Sequence, residues 1–374
     1  MRILIAPNAM KGSMSAADFA DAIGAGLLLA DSTLELLKYP LADGGDGTAE
    51  VLIKTLGGIF VPVQVHDPLG REITCCFGWL EQSGCAVIEM AEASGLRLLS
   101  STELNPMVAS SRGTGELIVA AVNRGAQKII LGIGGSATVD GGIGMLKALG
   151  FLLLDRDGVE INEGGEGLIQ LAEISSGRVK GEIISCEIVI ASDVVNSLLG
   201  KNGAASIFGP QKGATAEMVI NLEMGFHNYI RVLEQTSHME LKEMVGGGAA
   251  GGIALPLVAF LNARMVSGAE LIIDLMGVVK ELENCDLVIT GEGCIDLQTC
   301  QGKGPAVIAH AAHKAGVPVI AIGGSVREEA SWLFDGVFSI TSGPSPLEET
   351  MSNAFNLTRL LSFELGKFLK IWSK

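Results

Sequence analysis

A run of glycines and hydroxyl side chains between Ile130 and Met145 offers the clearest chemistry in the chain. This stretch, ILGIGGSATVDGGIGM, holds six glycines with one serine, one threonine and one aspartate. Glycine adopts backbone conformations closed to other residues and lets a phosphate approach main-chain N–H groups, and the helix predicted from Met145 would add its positive end. The stretch predicts a phosphate site, with a tight turn without ligand as the alternative. To this site we assign Gly134, Gly135, Ser136 and Asp140.

Three lysines lie in or just after loops that contain glycine. They are Lys11, Lys212 and Lys303. A lysine in such a place can neutralise a phosphate, although a solvated helix-end lysine is the alternative for each one. We predict that Lys11 neutralises a phosphate group and that Lys212 and Lys303 bind a cofactor.

Two aspartates follow apolar runs that read as strands. Asp193 comes after residues 187–191 and Asp296 after residues 286–290. Ligands of open α/β sheets bind at the carboxyl ends of strands, whereas an aspartate that caps a turn has only a structural role. Asp296 has oxygen-bearing neighbours and is our Mg²⁺ ligand, while Asp193 is our candidate base. Four more positions are assigned to the substrate: Ser13, Asp43, Gly291 and Glu292.

Strands and helices alternate along most of the chain, which predicts an α/β fold. Strands at residues 2–7 and 34–41 are too few to form a sheet alone, so we pair them with strands after residue 285. This predicts a Rossmann-like parallel-sheet domain from residues 1–60 and 285–374. A second, mixed α/β domain from residues 61–284 is inserted in it.

The composition narrows the partners of the protein. The 374 residues carry a formal charge of −16, which argues against nucleic acid and anionic membranes and favours small molecules. No apolar run reaches the ~18 residues of a membrane helix and no signal peptide is evident, so we expect a cytoplasmic protein. Seven cysteines without a C-x-x-C pair predict neither a disulfide framework nor a zinc site. A homodimer is one expectation for its assembly.

Seven motifs in order resemble the type I glycerate kinases and span nearly the whole chain. They are Ile5-Ala-Pro…Lys11-Gly-Ser, Ala42-Asp-Gly-Gly-Asp-Gly-Thr48, Glu89-Met-Ala-Glu-Ala-Ser-Gly-Leu96, Gly113-Thr-Gly-Glu116, Gly132-Ile-Gly-Gly-Ser-Ala-Thr138, Phe208-Gly-Pro-Gln-Lys-Gly-Ala214 and Thr290-Gly-Glu-Gly293. The resemblance implies ATP- and Mg²⁺-dependent phosphorylation of D-glycerate in organic acid metabolism, at the 2-hydroxyl rather than the 3-hydroxyl. It also implies a two-domain protein with the site between the domains.

Some positions depart from the family pattern, and two other functions stay open. Where the family usually has Asp, Phe, Asn, Cys and Arg, this chain has Asn8, Met10, Val139, Ser192 and Cys294. The loss of arginine removes a cation beside a predicted anion site, which puts the identity of the substrate in question more than the fold.

Residues 132–137 also fit G-x-G-x-x-A with Asp155 about 20 residues on, as in an NAD-dependent oxidoreductase of a small hydroxy acid. A non-catalytic sugar-acid binding protein is the third alternative.

Overall fold

Two compact units, each built on its own sheet, make up the protein in the computed structural model, which describes residues 1–45 and 47–372. The terminal unit comprises Met1–Asp43 and Ser267–Lys374, and the inserted unit comprises Gly44–Val266. Asp46, in the Asp-Gly turn at residues 42–48, lies outside the described residues.

Strands and helices alternate as the sequence predicts. The strands are β1 (Arg2–Pro7), β2 (Glu35–Lys38), β3 (Ile59–His66), β4 (Glu72–Leu80), β5 (Cys85–Glu89), β6 (Lys128–Gly132), β7 (Leu152–Leu154), β8 (Glu173–Ser175), β9 (Glu187–Ala191), β10 (Arg264–Val266), β11 (Leu287–Ile295), β12 (Val319–Val326) and β13 (Gly336–Ser339). The helices are α1 (Ala16–Ala30), α2 (Thr48–Leu56), α3 (Ala91–Ser94), α4 (Arg112–Asn123), α5 (Ile143–Leu149), α6 (Gly181–Ser185), α7 (Ala216–Ser237), α8 (Ala254–Leu261), α9 (Gly268–Leu275), α10 (Val278–Leu282), α11 (Gly304–Lys314), α12 (Leu347–Ser352) and α13 (Ala354–Trp372).

The two sheets differ in strand direction. The terminal sheet has the order β13-β12-β11-β1-β2 and is parallel throughout. The inserted sheet has the order β10-β9-β6-β5-β4-β3, parallel from β10 to β5 and antiparallel from β5 to β3. A parallel sheet and a mixed sheet confirm the predicted α/β fold class.

The unit boundaries lie earlier in the chain than residues 60 and 285, where we predicted them. Helix α2 packs against β4 and β5, so it belongs to the inserted unit. Helix α9 packs against α11, so it belongs to the terminal unit. The predicted boundaries lie at β3, the first strand of the inserted unit, and at β11, the next strand of the terminal unit. Helices α2 and α9 precede these strands in the chain but already belong to the same units.

The order in which successive strands are added to the terminal sheet reverses once. From β1 the chain moves to β2 on one side, whereas from β11 it moves to β12 and β13 on the other side. Ligands of open α/β proteins bind at the carboxyl ends of the strands where this direction changes. The described strands of the inserted main sheet progress in one direction from β3 to β10 and have no such point. The topology therefore favours a ligand site beside β1 and β11.

Alternate side chains of β1 pack the terminal sheet against α1. Ile3 and Ile5 of β1 are fully buried and share a core with Phe19, Ile23 and Leu27 of α1. These helix residues recur at the four-residue spacing of one helical face. The Ser15 hydroxyl caps the start of α1 by accepting the Asp18 N–H at 3.1 Å.

None of the described helices combines the length and the hydropathy needed to cross a membrane.

One predicted loop is partly a strand. Strand β11 continues through Gly291 and Glu292 to Ile295, where we had predicted a loop from residue 291. Gly291 pairs with Pro7, and a Cβ at Gly291 would lie 2.1 Å from the Ile322 carbonyl oxygen. Close strand packing therefore explains this glycine, and its contact with substrate stays a prediction.

Candidate active site

A cleft of about 810 Å³ opens at the carboxyl ends of β1 and β11 in the terminal unit. Its walls come from residues 8–13 after β1, residues 292–298 at the end of β11, and the ends of β12 and β13. Six predicted site residues line it: Lys11, Ser13, Asp43, Glu292, Asp296 and Lys303. The cleft therefore occupies the topological switch point of the parallel sheet.

The loop after β1 brings an exposed lysine to the cleft. Met10 and Met14 pair across a tight turn, in which Gly12 has a φ of +77°. That turn leaves Lys11 exposed at its tip. The buried Asn8 amide lies 3.5 Å from the Asp43 carboxylate and donates a hydrogen bond to it. Position 8 thus carries a neutral hydrogen-bond donor that faces an acid of the cleft.

Glu292 is a buried carboxyl at the end of the central strand. The residue is 7% exposed, and its Oε2 accepts a hydrogen bond from Lys303 Nζ at 3.3 Å. Its Oε1 is buried and has no hydrogen-bond partner within residues 1–45 and 47–372. Burial raises the pKa of Glu292 and Asp43 adds to the rise, while Thr299 and Lys303 act in the opposite direction.

Asp296 holds the loop that follows β11. Its Oδ1 accepts the N–H groups of Gln298 at 2.8 Å and Thr299 at 3.3 Å, which forms a local turn. Its Oδ2 accepts the Cys294 thiol at 3.6 Å. Asp296 therefore caps a turn, which was the alternative to a ligand-binding role. Both of its oxygens still keep lone pairs that a cation could use.

The charges of the cleft do not by themselves suit an anion. Among its described lining residues, two lysines stand against three carboxylic acids, Asp43, Glu292 and Asp296. The Lys303 charge is moreover partly satisfied by Glu292. A phosphorylated ligand would enter such a cleft together with a divalent cation, which neutralises phosphate and carboxylate oxygens at once. The donor set therefore fits Mg²⁺ shared with a ligand, although no cluster of three or more acidic, His or Cys ligands occurs in the described residues.

The glycine-rich stretch lies in the inserted unit and is mostly buried. Lys212 is 2% exposed, and its ammonium donates to Ser136 Oγ and to the Thr138 carbonyl, both at 2.7 Å. Burial lowers the pKa of Lys212 to about 7, against the opposing effect of Asp140. Lys212 thus stabilises this stretch through hydrogen bonds in the protein interior. The predicted direct contact of its ammonium with a nucleotide is not supported.

Asp140 occupies the helix end that we had predicted to face a phosphate. The fully buried carboxylate accepts the Ser111 hydroxyl at 2.7 Å and the N–H groups of Ser111, Gly142 and Gly144 at 2.9, 3.0 and 3.3 Å. The Met145 N–H of α5 donates to Ser111 Oγ at 3.0 Å. Protein groups therefore satisfy the start of α5, so Asp140 positions the loop and does not suit a nucleotide contact. Burial raises its pKa, which the four hydrogen bonds counteract.

The remaining predicted residues of the inserted unit stay nearer the surface. Gly135 is exposed with a φ of +70°, and Gly134 is half-buried and donates its N–H to the Gly44 carbonyl at 3.2 Å. Asp193 follows β9 directly, as predicted, and is partly exposed. Only the exposed part of the glycine stretch is open to a ligand.

Comparison with known proteins identifies the family. Residues 3–370 match the glycerate kinase family. The chain belongs to the glycerate kinase family. A relative named glycerate kinase from Bacillus subtilis is 39% identical over 375 residues, covering 99% of this chain and 98% of the relative. A relative named glycerate 2-kinase from Escherichia coli is 41% identical over 360 residues, covering 95% and 94%.

A solved structure shows the same fold. It is the crystal structure of putative glycerate kinase 2 from Salmonella typhimurium LT2, 41% identical, with a TM-score of 0.89 over 100% of this chain and 99% of that one. The resemblance of the seven motifs is therefore confirmed, and the family places the protein among kinases. The family does not support the oxidoreductase or the binding protein. Consistently, the Asp155 carboxylate accepts the N–H groups of Asp157 and Val159, both at 2.9 Å, and so closes its own turn.

One wall of the cleft was missed by sequence reasoning. Four hydroxyl residues from the last two strands and the segment after them line it: Ser325, Ser339, Thr341 and Ser345. Ser339 and Thr341 hydroxyls lie 2.6 Å apart, and Ser345 and Thr350 hydroxyls 2.7 Å apart. The recurrence of serine and threonine just after a strand was the available signal, because hydroxyls at strand ends are typical of ligand sites.

Proposed function

We propose that the protein transfers the γ-phosphoryl group of ATP to D-glycerate and yields 2-phospho-D-glycerate and ADP. The observation that carries this proposal is full-length similarity, near 40% identity, to relatives named glycerate kinase and glycerate 2-kinase. The name of the Escherichia coli relative supports the 2-hydroxyl. We place the reacting groups in the terminal cleft, since it joins cationic and acidic side chains at the switch point of the sheet.

Lys11 is proposed to face the transferred phosphoryl group. The residue is exposed at the tip of a glycine turn and lines the cleft. Phosphoryl transfer depends on positioning and on positive charge around the transferred group. Lys303, 30% exposed in its side chain, supplies a second cation that is steadied by Glu292.

Mg²⁺ is the proposed metal, and Asp296 is the proposed residue that holds it. When bound with a nucleotide, Mg²⁺ neutralises phosphate oxygens and typically uses only one or two protein carboxylates. Asp296 lines the cleft and is held in place by two backbone N–H groups. Ser13 and Asp43, which also line the cleft, stay predicted substrate contacts.

The direct test is turnover by the purified protein. With Mg-ATP and D-glycerate we expect ADP release in a coupled assay, and phosphorus NMR should show phosphate on the 2-oxygen. Lys11→Met should abolish most of this turnover, while Lys201→Met, at an exposed lysine of the inserted unit, should leave it intact. Turnover with another hydroxy acid but none with D-glycerate would disprove the substrate, and a signal at the 3-oxygen would disprove the position.

The partners and location follow from this function. The charge of −16 supports small molecules rather than nucleic acid as partners. We propose the cytoplasm, where ATP is available, as its location and a homodimer as its assembly. Analytical ultracentrifugation that shows a single 38.8 kDa species at micromolar concentration would contradict the dimer.

A further inference from the structure

We propose that Glu292 is the catalytic residue that accepts the proton of the substrate hydroxyl group. This inference rests on the proposed function and assigns a role that we had predicted for Asp193. Glu292 itself had been expected only to bind substrate. Its place in the cleft gives it the stronger claim.

The position of Glu292 is set by the backbone. It extends β11, the strand beside the switch point, and lies between Gly291 and Gly293. Gly293 and Glu292 both line the cleft, and the glutamate side chain is only 9% exposed. A catalytic group on a strand held by neighbours on both sides is better fixed than one on a loop.

The hydrogen bonds of Glu292 leave one oxygen available. Lys303 donates to Oε2, while Oε1 is buried and accepts no hydrogen bond within 3.5 Å from the described residues. The Thr299 hydroxyl lies near this carboxyl group, but it donates to the Cys294 carbonyl at 3.3 Å. A buried polar atom without a partner is unfavourable unless a ligand supplies the partner. The hydroxyl group of a bound hydroxy acid is a donor of the required kind.

The other acids of the cleft are less suited to accept a proton. Asp296 accepts two backbone N–H groups on one oxygen and the Cys294 thiol on the other. Asp43 accepts the Asn8 amide. Protein donors thus already engage both of these acids, whereas Glu292 Oε1 accepts no hydrogen bond from the described residues.

The charged groups around Glu292 suit the role. Lys303 favours the ionised form and Asp43 opposes it, while Lys11, Asp296 and the Cys294 thiol complete the titratable lining of the cleft. Burial raises the pKa of Glu292 above its ordinary value, which makes the carboxylate a stronger base. In the reaction the substrate oxygen forms a bond to the γ-phosphorus, and the bond from phosphorus to the ADP oxygen breaks with its electron pair left on ADP. The hydroxyl proton moves to Glu292 Oε1 and is then released to water.

The test compares pH profiles of variants. Wild-type protein is first assayed with Mg-ATP and D-glycerate, followed by Glu292→Gln, Glu292→Asp, Asp193→Asn and the exposed control Glu283→Gln. For Glu292→Gln we expect kcat to fall by about 10²–10⁴-fold, the KM for ATP to stay within about threefold, and the acid limb of the kcat profile to vanish. Glu292→Asp should keep an acid limb, displaced from that of the wild type.

The outcomes separate this inference from the proposed function. No turnover of D-glycerate by the wild type would overturn both. An active wild type combined with a Glu292→Gln variant that keeps its rate, or loses rate but keeps the wild-type acid limb, would overturn the inference alone. So would loss of the acid limb in Asp193→Asn but not in Glu292→Gln. If circular dichroism shows Glu292→Gln to be unfolded, an unmoved acid limb in Glu292→Asp is the overturning result.

Discussion

The buried Lys212 should make the stability of the protein depend on pH in a defined direction. Its pKa falls from 10.5 to about 7 on burial, so the unfolded chain holds a proton that the folded chain releases between these values. Stability rises with pH wherever the unfolded state binds more protons. The free energy of unfolding should therefore rise from pH 7 toward pH 10.5 and be insensitive to this group below pH 7.

The size of the effect follows from the two pKa values. The proton that the unfolded chain holds lowers the free energy of unfolding by about 4 kcal/mol at pH 7 and by about 2 kcal/mol at pH 9. Replacement of Lys212 by methionine removes this pH-dependent cost together with the hydrogen bonds to Ser136 and Thr138. The lost hydrogen bonds cost the same at both pH values. The difference in stability between wild type and Lys212→Met should thus move by about 2 kcal/mol in favour of the wild type from pH 7 to pH 9.

Urea unfolding at both pH values measures this difference. Wild type and Lys212→Met are compared with Lys201→Met, which changes an exposed lysine of the same unit and should show no such movement. Asp140 and Tyr229 are the other buried titratable groups nearby, and both variants retain them. A movement below about 0.5 kcal/mol, or one of opposite sign, would refute a low-pKa lysine at this position.

Three further outcomes test the site and the fold. Asp296→Asn should raise the Mg²⁺ concentration for half-maximal rate, as metal titration would show, and an unchanged titration would remove it as the metal ligand. Lys11→Met should lower kcat/KM by about 10²-fold with an unchanged melting temperature, and a melting temperature lowered as well would indicate a structural lysine. Gly251→Ala should destabilise the protein by more than about 2 kcal/mol in urea unfolding, because Gly251 has a φ of +71° and a Cβ there would lie 2.3 Å from the Thr138 carbonyl oxygen; equal stability would show that the backbone can adapt.

Elements with a strong local pattern were predictable from sequence. Strands β1 and β9 have the predicted bounds, because the apolar runs that mark them are local features of a few residues each. The cleft was predictable for a related reason. Polar residues just after strands of a parallel sheet meet at one edge, so Lys11 and Glu292 line the same cleft although 281 positions separate them in the numbering.

The role of the glycine-rich stretch could not be predicted in this way. Its glycines permit close approach by any partner, and the sequence is the same whether that partner is a phosphate or the protein itself. The structure shows the protein as partner, since Gly141 donates its N–H to the Gly251 carbonyl at 2.8 Å and accepts from the Tyr229 hydroxyl at 2.6 Å. Residues this distant in sequence leave no local signature. Burial of Lys212 was hidden for the same reason.

The pairing of β1 with β11 also fixes the order in which parts of the protein can form during synthesis. The Arg2 N–H donates to Asp286, 284 residues later, and β1 with β2 alone is only a two-stranded ribbon. At about 10 residues per second the first strand waits on the order of half a minute for its partner. All strands of the inserted unit emerge during that wait. A nascent chain that stops before residue 287 therefore has every described strand of the inserted unit but only six of the 23 residues that line the cleft, so catalytic competence arrives only with the last quarter of the polypeptide.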